Sequence, residues 1–316
     1  MAGGDPARRL DGCRHGAADG ALRRGKAARM QKRKKLKLWH WVLLGIVGAM
    51  LIAAAVNSLR NWAGIAIVTD TSAERLTLLE PDWRMVPASA PISDAGSVLL
   101  SGCDGVHDNM DYWAGVLAAR GYPGLILDSH SPRGFDTLQT WRLLCMGQLL
   151  PGAERAGDIG VAMAETDAAE IVLLGVSHGG WSILEFLRQS SMGDLPPGLS
   201  DWPAPPDALN ERVAAAIVFY PYCGVLNGAG EGDWSRMPPI LMILAGQDEL
   251  QVTPACKRMA ATLRDLGAEV DLVVYDDAGH GFDQQERAPL SQLTYRPELR
   301  DASTEVVNAF LDRHGL

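Results

Sequence analysis

The chain has 316 residues, 47% of them hydrophobic and 34 of them glycine, which argues against a disordered or fibrous protein and suits a sizeable globular core. Its net charge of −9 conceals a split: residues 1–37 hold 12 Lys/Arg against three Asp, a balance of +9, and the remainder carries −18. So acidic a main body argues against nucleic-acid binding, and the basic tail, placed directly before an apolar run, reads as a topology signal.

Residues 38–56 (LWHWVLLGIVGAMLIAAAV) contain no Asp, Glu, Lys or Arg over 19 residues, a length that just spans a bilayer as a helix. Trp39 and Trp41 suit one interface, and the basic cluster at 32–37 holds the preceding side in the cytoplasm. The rival reading is a cleaved signal peptide. Ala53-Ala54-Ala55 offers an A-x-A site, and a start at Met30 would leave a compact basic n-region. The anchor is preferred on length. The chain then divides into a basic cytoplasmic tail (1–37), a transmembrane anchor or signal segment (38–56), a linker with edge strands (57–95) and the main domain (96–316). This describes a single-pass protein of a bacterial inner membrane, with the main domain periplasmic or extracellular. Under the alternative, that domain is exported after signal cleavage. Cys103, Cys145, Cys223 and Cys256 all fall in it, and an oxidising compartment permits two disulfides in any of three pairings.

Between 57 and 94, Ala66-Ile67-Val68 and Leu76-Thr77-Leu78-Leu79 are short strand candidates, broken by Pro81, Pro87 and Pro91. From Gly96 the pattern is regular. Apolar runs at 97–100, 125–127, 171–174, 214–220, 240–244 and 270–275 read as buried strands. They alternate with helices at 109–120, 153–165, 180–188, 254–266 and 303–313. Such alternation predicts a mostly parallel, doubly wound α/β sheet covered on both faces. The proline-rich interval 189–210 reads as irregular, either a lid or an inert surface connection.

Gly175-Val176-Ser177-His178-Gly179 lies between an apolar strand and an amphipathic helix. A serine at the apex of such a turn, flanked by glycines, predicts a nucleophile elbow. Its hydroxyl needs a base, and the base an orienting acid. Asp248 follows the strand at 240–244, where open α/β sheets place their sites; Glu249, Asp276 and Asp277 are its rivals. His280 follows the last strand on a glycine-flanked loop; His107, His130 and His178 are rival bases. The order Ser177, Asp248, His280 is that of α/β-hydrolases. An oxyanion needs two backbone donors. One is expected from His178 N–H, at the start of the elbow helix, with its side chain turned away. The other is expected from Ser101-Gly102-Cys103-Asp104-Gly105, with Cys103 preferred and Asp104 the alternative.

GVSHGG at 175–180, AGQDE at 245–249 and YDDAGHGF at 275–282 together resemble the dienelactone hydrolase family. Asp128-Ser129-His130-Ser131-Pro132-Arg133-Gly134 and Phe219-Tyr220-Pro221-Tyr222-Cys223 extend the resemblance, which covers 96–314. It implies an α/β-hydrolase cleaving a small-molecule ester or lactone through an acyl-enzyme, with no metal or organic cofactor. It also implies pairing of Cys223 with Cys256 and of Cys103 with Cys145. Two departures stand out. Ser177 stands where the family typically has cysteine, which points away from dienelactone itself, and Ser-Gly-Cys replaces the His-Gly of many relatives in the oxyanion loop. Arg133 has two readings: orienting an anionic substrate group, or tying its own loop to Asp128 or Asp158. Competing functions are a peptidase, an acyltransferase and a non-catalytic envelope binding protein. The sequence gives no oligomeric state.

Overall fold

A computed structural model describes residues 1, 15–92, 94–135, 139–287, 291 and 293–316, with the side chains of 15–22, 33–36 and 140–142 outside that description. Much of the basic tail expected at 1–37 thus lies outside the described residues. The chain forms two compact units, Met1–Val56 and Asn57–Leu316. Helix α1 (His15–Trp62) makes up the first and ends in the second. Its stretch Arg23–Trp62 contains an apolar window long enough to cross a membrane by length and composition. Every residue of 38–56 is exposed except half-buried Gly48, which is not the packing of a soluble core helix.

Among the described residues of the second unit, seven strands form one sheet. They are β1 (Arg84–Val86), β2 (Ala95–Leu100), β3 (Gly124–Leu127), β4 (Glu170–Val176), β5 (Val213–Phe219), β6 (Ile240–Ala245) and β7 (Val270–Tyr275). The order is β1-β3-β2-β4-β5-β6-β7. The β1–β3 edge pair is antiparallel, with Met85 opposite Leu125, and every other pair is parallel. Helices α3 (Asp108–Ala119) and α8 (Pro297–Arg313) cover one face. The other is covered by α4 (Gly152–Ala164), α5 (His178–Met192), α6 (Pro206–Glu211) and α7 (Thr253–Asp265). Val98, Ile171, Leu173 and Met242 enter one core, and Leu99, Val172, Leu174 and Ile243 the other. With both faces buried, each inner strand reads as an unbroken apolar run. Full burial of each such side chain contributes roughly 1.5–3 kcal/mol. The chain leaves β2 for β3 on one side and returns to β4 on the other. The carboxyl ends of β2 and β4 therefore flank a topological switch point.

Four local expectations are corrected. Leu76 to Leu79 are helical, within α2 (Ser72–Leu79). Thr71 and Glu74 form a reciprocal capping box, the T-x-x-E spelling that nucleates a helix start. Ala66 to Val68 form no strand, and the edge is instead β1, three residues of which only Val86 is even half-buried. Helix α8 begins at Pro297, six residues before its expected start, because proline is preorganised for the first helical turn. The interval 189–210 is partly helical, at the end of α5 and the start of α6. Its Leu199 packs by Gly157 and its Trp202 by Gly160.

Candidate active site

Strand β4 ends at Val176 and α5 begins at His178, leaving Ser177 alone in the turn at φ 51° and ψ −110°. That is a strained conformation for a residue with a side chain, and its neighbours permit it. A Cβ on Gly175 would lie 2.5 Å from the carbonyl carbon of Gly179, and one on Gly179 would lie 2.3 Å from the Leu100 carbonyl oxygen.

The fold brings three of the expected residues together. Ser177 Oγ–H donates to His280 Nε2 at 2.9 Å, and His280 Nδ1–H donates to Asp248 Oδ2 at 2.7 Å. The Asp248 side chain is 1% exposed and that of His280 7%, so the pair is withdrawn from water without being sealed. Asp248 Oδ1 accepts Leu250 N–H at 2.8 Å. Two of the neighbouring carboxylates are occupied elsewhere. Glu249 Oε2 accepts the backbone N–H of His280 at 2.7 Å, and Asp277 pairs with Arg296. The Tyr220 ring lies 4.7 Å from the imidazole, and its hydroxyl donates to buried Asp283. Trp113 Nε1 donates to the same carboxylate at 2.7 Å. Burial pushes the Asp283 carboxyl up and the Tyr220 phenol well above its ordinary value.

Fully buried Arg155 braces the loop after β2 and the start of α5. Its Nη1 donates to the Ser101 carbonyl at 2.8 Å and to His178 Nδ1 at 3.0 Å. Its Nε donates to Ser129 Oγ at 3.1 Å. His178 Nε2–H donates to the Leu150 carbonyl at 2.8 Å, so the ring is held by Leu150 and Arg155 and not by Ser177. Burial, and next the Arg155 charge, push its pKa down to about 3, and the ring is neutral. As first residue of α5, His178 has no intrahelical acceptor for its N–H. Gly102 stands close by, since a Cβ there would lie 3.8 Å from Ser177 Cβ.

Two cavities meet at Ser177, one of about 460 Å³ and one of about 270 Å³. Cys103, Cys145, Met146, Leu250 and His280 line both. The disulfide Cys103–Cys145 ties the loop after β2 to this wall. Asn57 and Asn61 donate to the carbonyls of Gln148 and Gly147 at 2.7 and 2.8 Å, pinning the same segment from behind. A second disulfide, Cys223–Cys256, lies in the core.

Residues 207–314 match the sequence model of the dienelactone hydrolase family. Over those residues the chain is similar to that family. No curated protein matches it in sequence. Among solved structures it is similar to esterase 2 of Thermogutta terrifontis. The native form is 15% identical at a TM-score of 0.52, over 74% of this chain and 87% of that one. The propionate-bound form and the form phosphonylated by cyclosarin give the same identity and TM-score, over 74% of this chain and 89% of each. The shared feature is the α/β-hydrolase fold.

The fold leaves several expected residues outside the site. Arg133 grips Asp158 with both Nη atoms at 2.9 Å and donates to the Ser129 carbonyl at 2.6 Å. It lines neither cavity, so its guanidinium serves its own loop. His107 faces Asp104 at 3.2 Å. His130 is buried with neither ring nitrogen hydrogen-bonded among the described residues, and burial holds its pKa well below the ordinary value. No residue of 189–210 lines either cavity, which leaves the lid reading without a contact. Among the described residues, no group of three or more His, Cys, Asp or Glu is placed to hold a metal. Sequence reading missed Arg155 and Asp283. The signal for the first was present: Glu154-Arg155-Ala156-Gly157-Asp158 sets charges into a helix of small, buried residues.

Proposed function

We propose that this domain is a serine hydrolase that cleaves carboxylic ester or lactone bonds through an acyl-enzyme. The observation that carries the reading is the hydrogen-bonded chain from Ser177 Oγ through His280 to Asp248, at 2.9 and 2.7 Å, opening on the two cavities. His280 Nε2 takes the hydroxyl proton as Ser177 Oγ attacks the carbonyl carbon, and Asp248 stabilises the imidazolium. The amides of His178 and Cys103 bind the oxyanion. The imidazolium Nε2–H protonates the leaving alkoxide, and a water activated by the same nitrogen releases the acid. That the neighbouring esterase is phosphonylated by cyclosarin supports an activated serine on this fold. A fluorophosphonate probe should label the wild type and not Ser177→Ala, and that variant should lose at least about 10³-fold in p-nitrophenyl ester hydrolysis. Equal labelling of the two would sink the reading.

We propose further that the apolar part of α1 anchors the chain in the inner membrane. The basic cluster at 32–37 stays cytoplasmic and the hydrolase unit is exported. Resistance to carbonate extraction, and activity of an alkaline phosphatase fused after residue 60, are the expected results. A soluble, shortened product would instead mark a cleaved signal.

A further inference from the structure

We propose that the site selects neutral esters with one apolar half and one half that accepts hydrogen bonds, and discriminates against esters bearing a carboxylate. The proposal rests on the hydrolase reading above and names its substrate class. The smaller cavity is walled by Leu144, Trp181, Tyr222, Leu226 and Val252, and no Asp, Glu, Lys or Arg lines it. Away from Ser177 and His280, such a wall offers a substrate chain mainly apolar burial. The larger cavity ends on Asp104, Gln284 and Arg287. Gln284 Nε2 is spent on Asp104 Oδ2 at 3.0 Å and on the Glu286 carbonyl at 2.8 Å. Arg287 Nη2 donates to the Gly281 carbonyl at 3.0 Å, while its Nη1 is buried without a hydrogen-bond partner among the described residues. A buried donor left unsatisfied is costly, and a carbonyl or ether oxygen of a substrate would satisfy it.

An anion would fare worse there than a neutral acceptor. Among the described residues, Arg287 is the one Arg or Lys lining either cavity, and it already lies in the field of Asp283, Asp104 and Asp108. Asp248 and Glu249 flank His280 on the other side of Ser177. His107 offsets part of Asp104 at 3.2 Å and Arg300 part of Asp108 at 3.5 Å. Arg155, behind His178 and Ser101, adds a further positive charge. The five carboxylates still outnumber the four cationic groups, and low-dielectric walls focus the surplus on the cleft.

The test uses the full chain in detergent with p-nitrophenyl hemisuccinate, its neutral methyl ester, and straight-chain p-nitrophenyl esters from acetate to octanoate. The neutral member of the succinate pair should have a kcat/KM at least about tenfold higher. That gap should narrow with added salt and in Asp104→Asn. Arg287→Gln should raise KM for the methyl succinate ester more than for plain acyl esters. Leu226→Ala should move the preferred chain length upward. Hydrolysis of the hemisuccinate as fast as its methyl ester overturns the proposal. Fluorophosphonate labelling of the same sample separates two failures. A labelled Ser177 with no charge discrimination sinks this inference alone; an unlabelled Ser177 sinks the hydrolase reading and this inference with it.

Discussion

Nη1 of Arg155 lies 3.0 Å from Nδ1 of His178, and the same nitrogen donates to the Ser101 carbonyl at 2.8 Å. One buried guanidinium thus joins the two backbone segments proposed to bind the oxyanion. Arg155→Lys keeps the charge and loses the Nε and Nη2 arms, on Ser129 Oγ and Ser101 Oγ, that fix that nitrogen in place. A misplacement of about 1 Å near the reacting atoms costs on the order of 100-fold in rate. We expect kcat to fall about 10- to 100-fold with KM little changed, by steady-state kinetics alongside thermal melts. A purely structural Arg155 would instead lower the melting temperature and leave kcat of the folded fraction intact.

Asp248 and Glu249 are adjacent carboxylates that touch the same histidine at different atoms. Asp248 takes Nδ1–H and Glu249 takes the backbone N–H. Asp248→Asn should therefore lower kcat by about 10⁴-fold, since an amide no longer fixes the imidazole tautomer. Glu249→Gln retains an acceptor for the backbone N–H and should have a far smaller effect. Comparable losses in both would show that the two carboxylates share one role.

The sheet and the Ser177, Asp248 and His280 set were legible for one physical reason. Parallel strands buried on both faces spell apolar runs, and the loops that follow them all open on one edge. What stayed hidden depends on contacts made across the fold. Arg155 is an ordinary helix arginine in sequence, and only the packing of α4 against the loop after β2 gives it to Ser101. The tie of Arg133 to Asp158 was one of two readings open for that residue, and the packing of α4 against the loop after β3 decides for it. The error at Leu76 to Leu79 was local: four residues with three leucines fit a strand or a helix, and the deciding cap, Thr71 with Glu74, lies outside the run.

Burial keeps His178 and His130 neutral, with both pKa values lowered. The unfolded chain binds protons at ordinary histidines below about pH 6.5, whereas the folded one does not. Their contribution to stability is therefore complete above that pH and is lost as pH falls, down to about 3 for His178. At pH 5 the His178 ring alone should cost about 2 kcal/mol. Urea midpoints at pH 7.5 and pH 5 measure this in a His107→Gln background, because Asp104 raises the His107 pKa and its contribution has the opposite sign. Unchanged midpoints would mean the two rings are more hydrated than their burial implies.

The two disulfides should respond differently to a reductant. Cys103 and Cys145 line both cavities, whereas Cys223 and Cys256 are 7% and 0% exposed in the core. Mild reduction should open the first pair, release the wall at Met146 and lower kcat/KM. Cys223→Ala with Cys256→Ala should cost about 2–4 kcal/mol of stability while activity of the folded protein persists. Thiol titration during a reduction series, read against activity, checks the order.

Asp158 is completely buried, accepting from Arg75 Nη1 at 2.7 Å and from both Arg133 Nη atoms at 2.9 Å. The two arginines together hold its carboxyl well below the ordinary range, against the opposing effect of burial. Asp158→Asn would leave two guanidinium groups short of a counter-charge in a dry site, and breaking such a network typically costs about 3–5 kcal/mol. Arg133→Gln should lower stability by less, because Arg75 still pairs with Asp158 and with Asp70 at 2.9 Å. If Arg133 instead gripped a substrate carboxylate, Arg133→Gln would raise KM for anionic esters selectively. The geometry predicts a shift in the melting temperature and an unchanged KM, since the carboxylate that Arg133 binds is already within the fold.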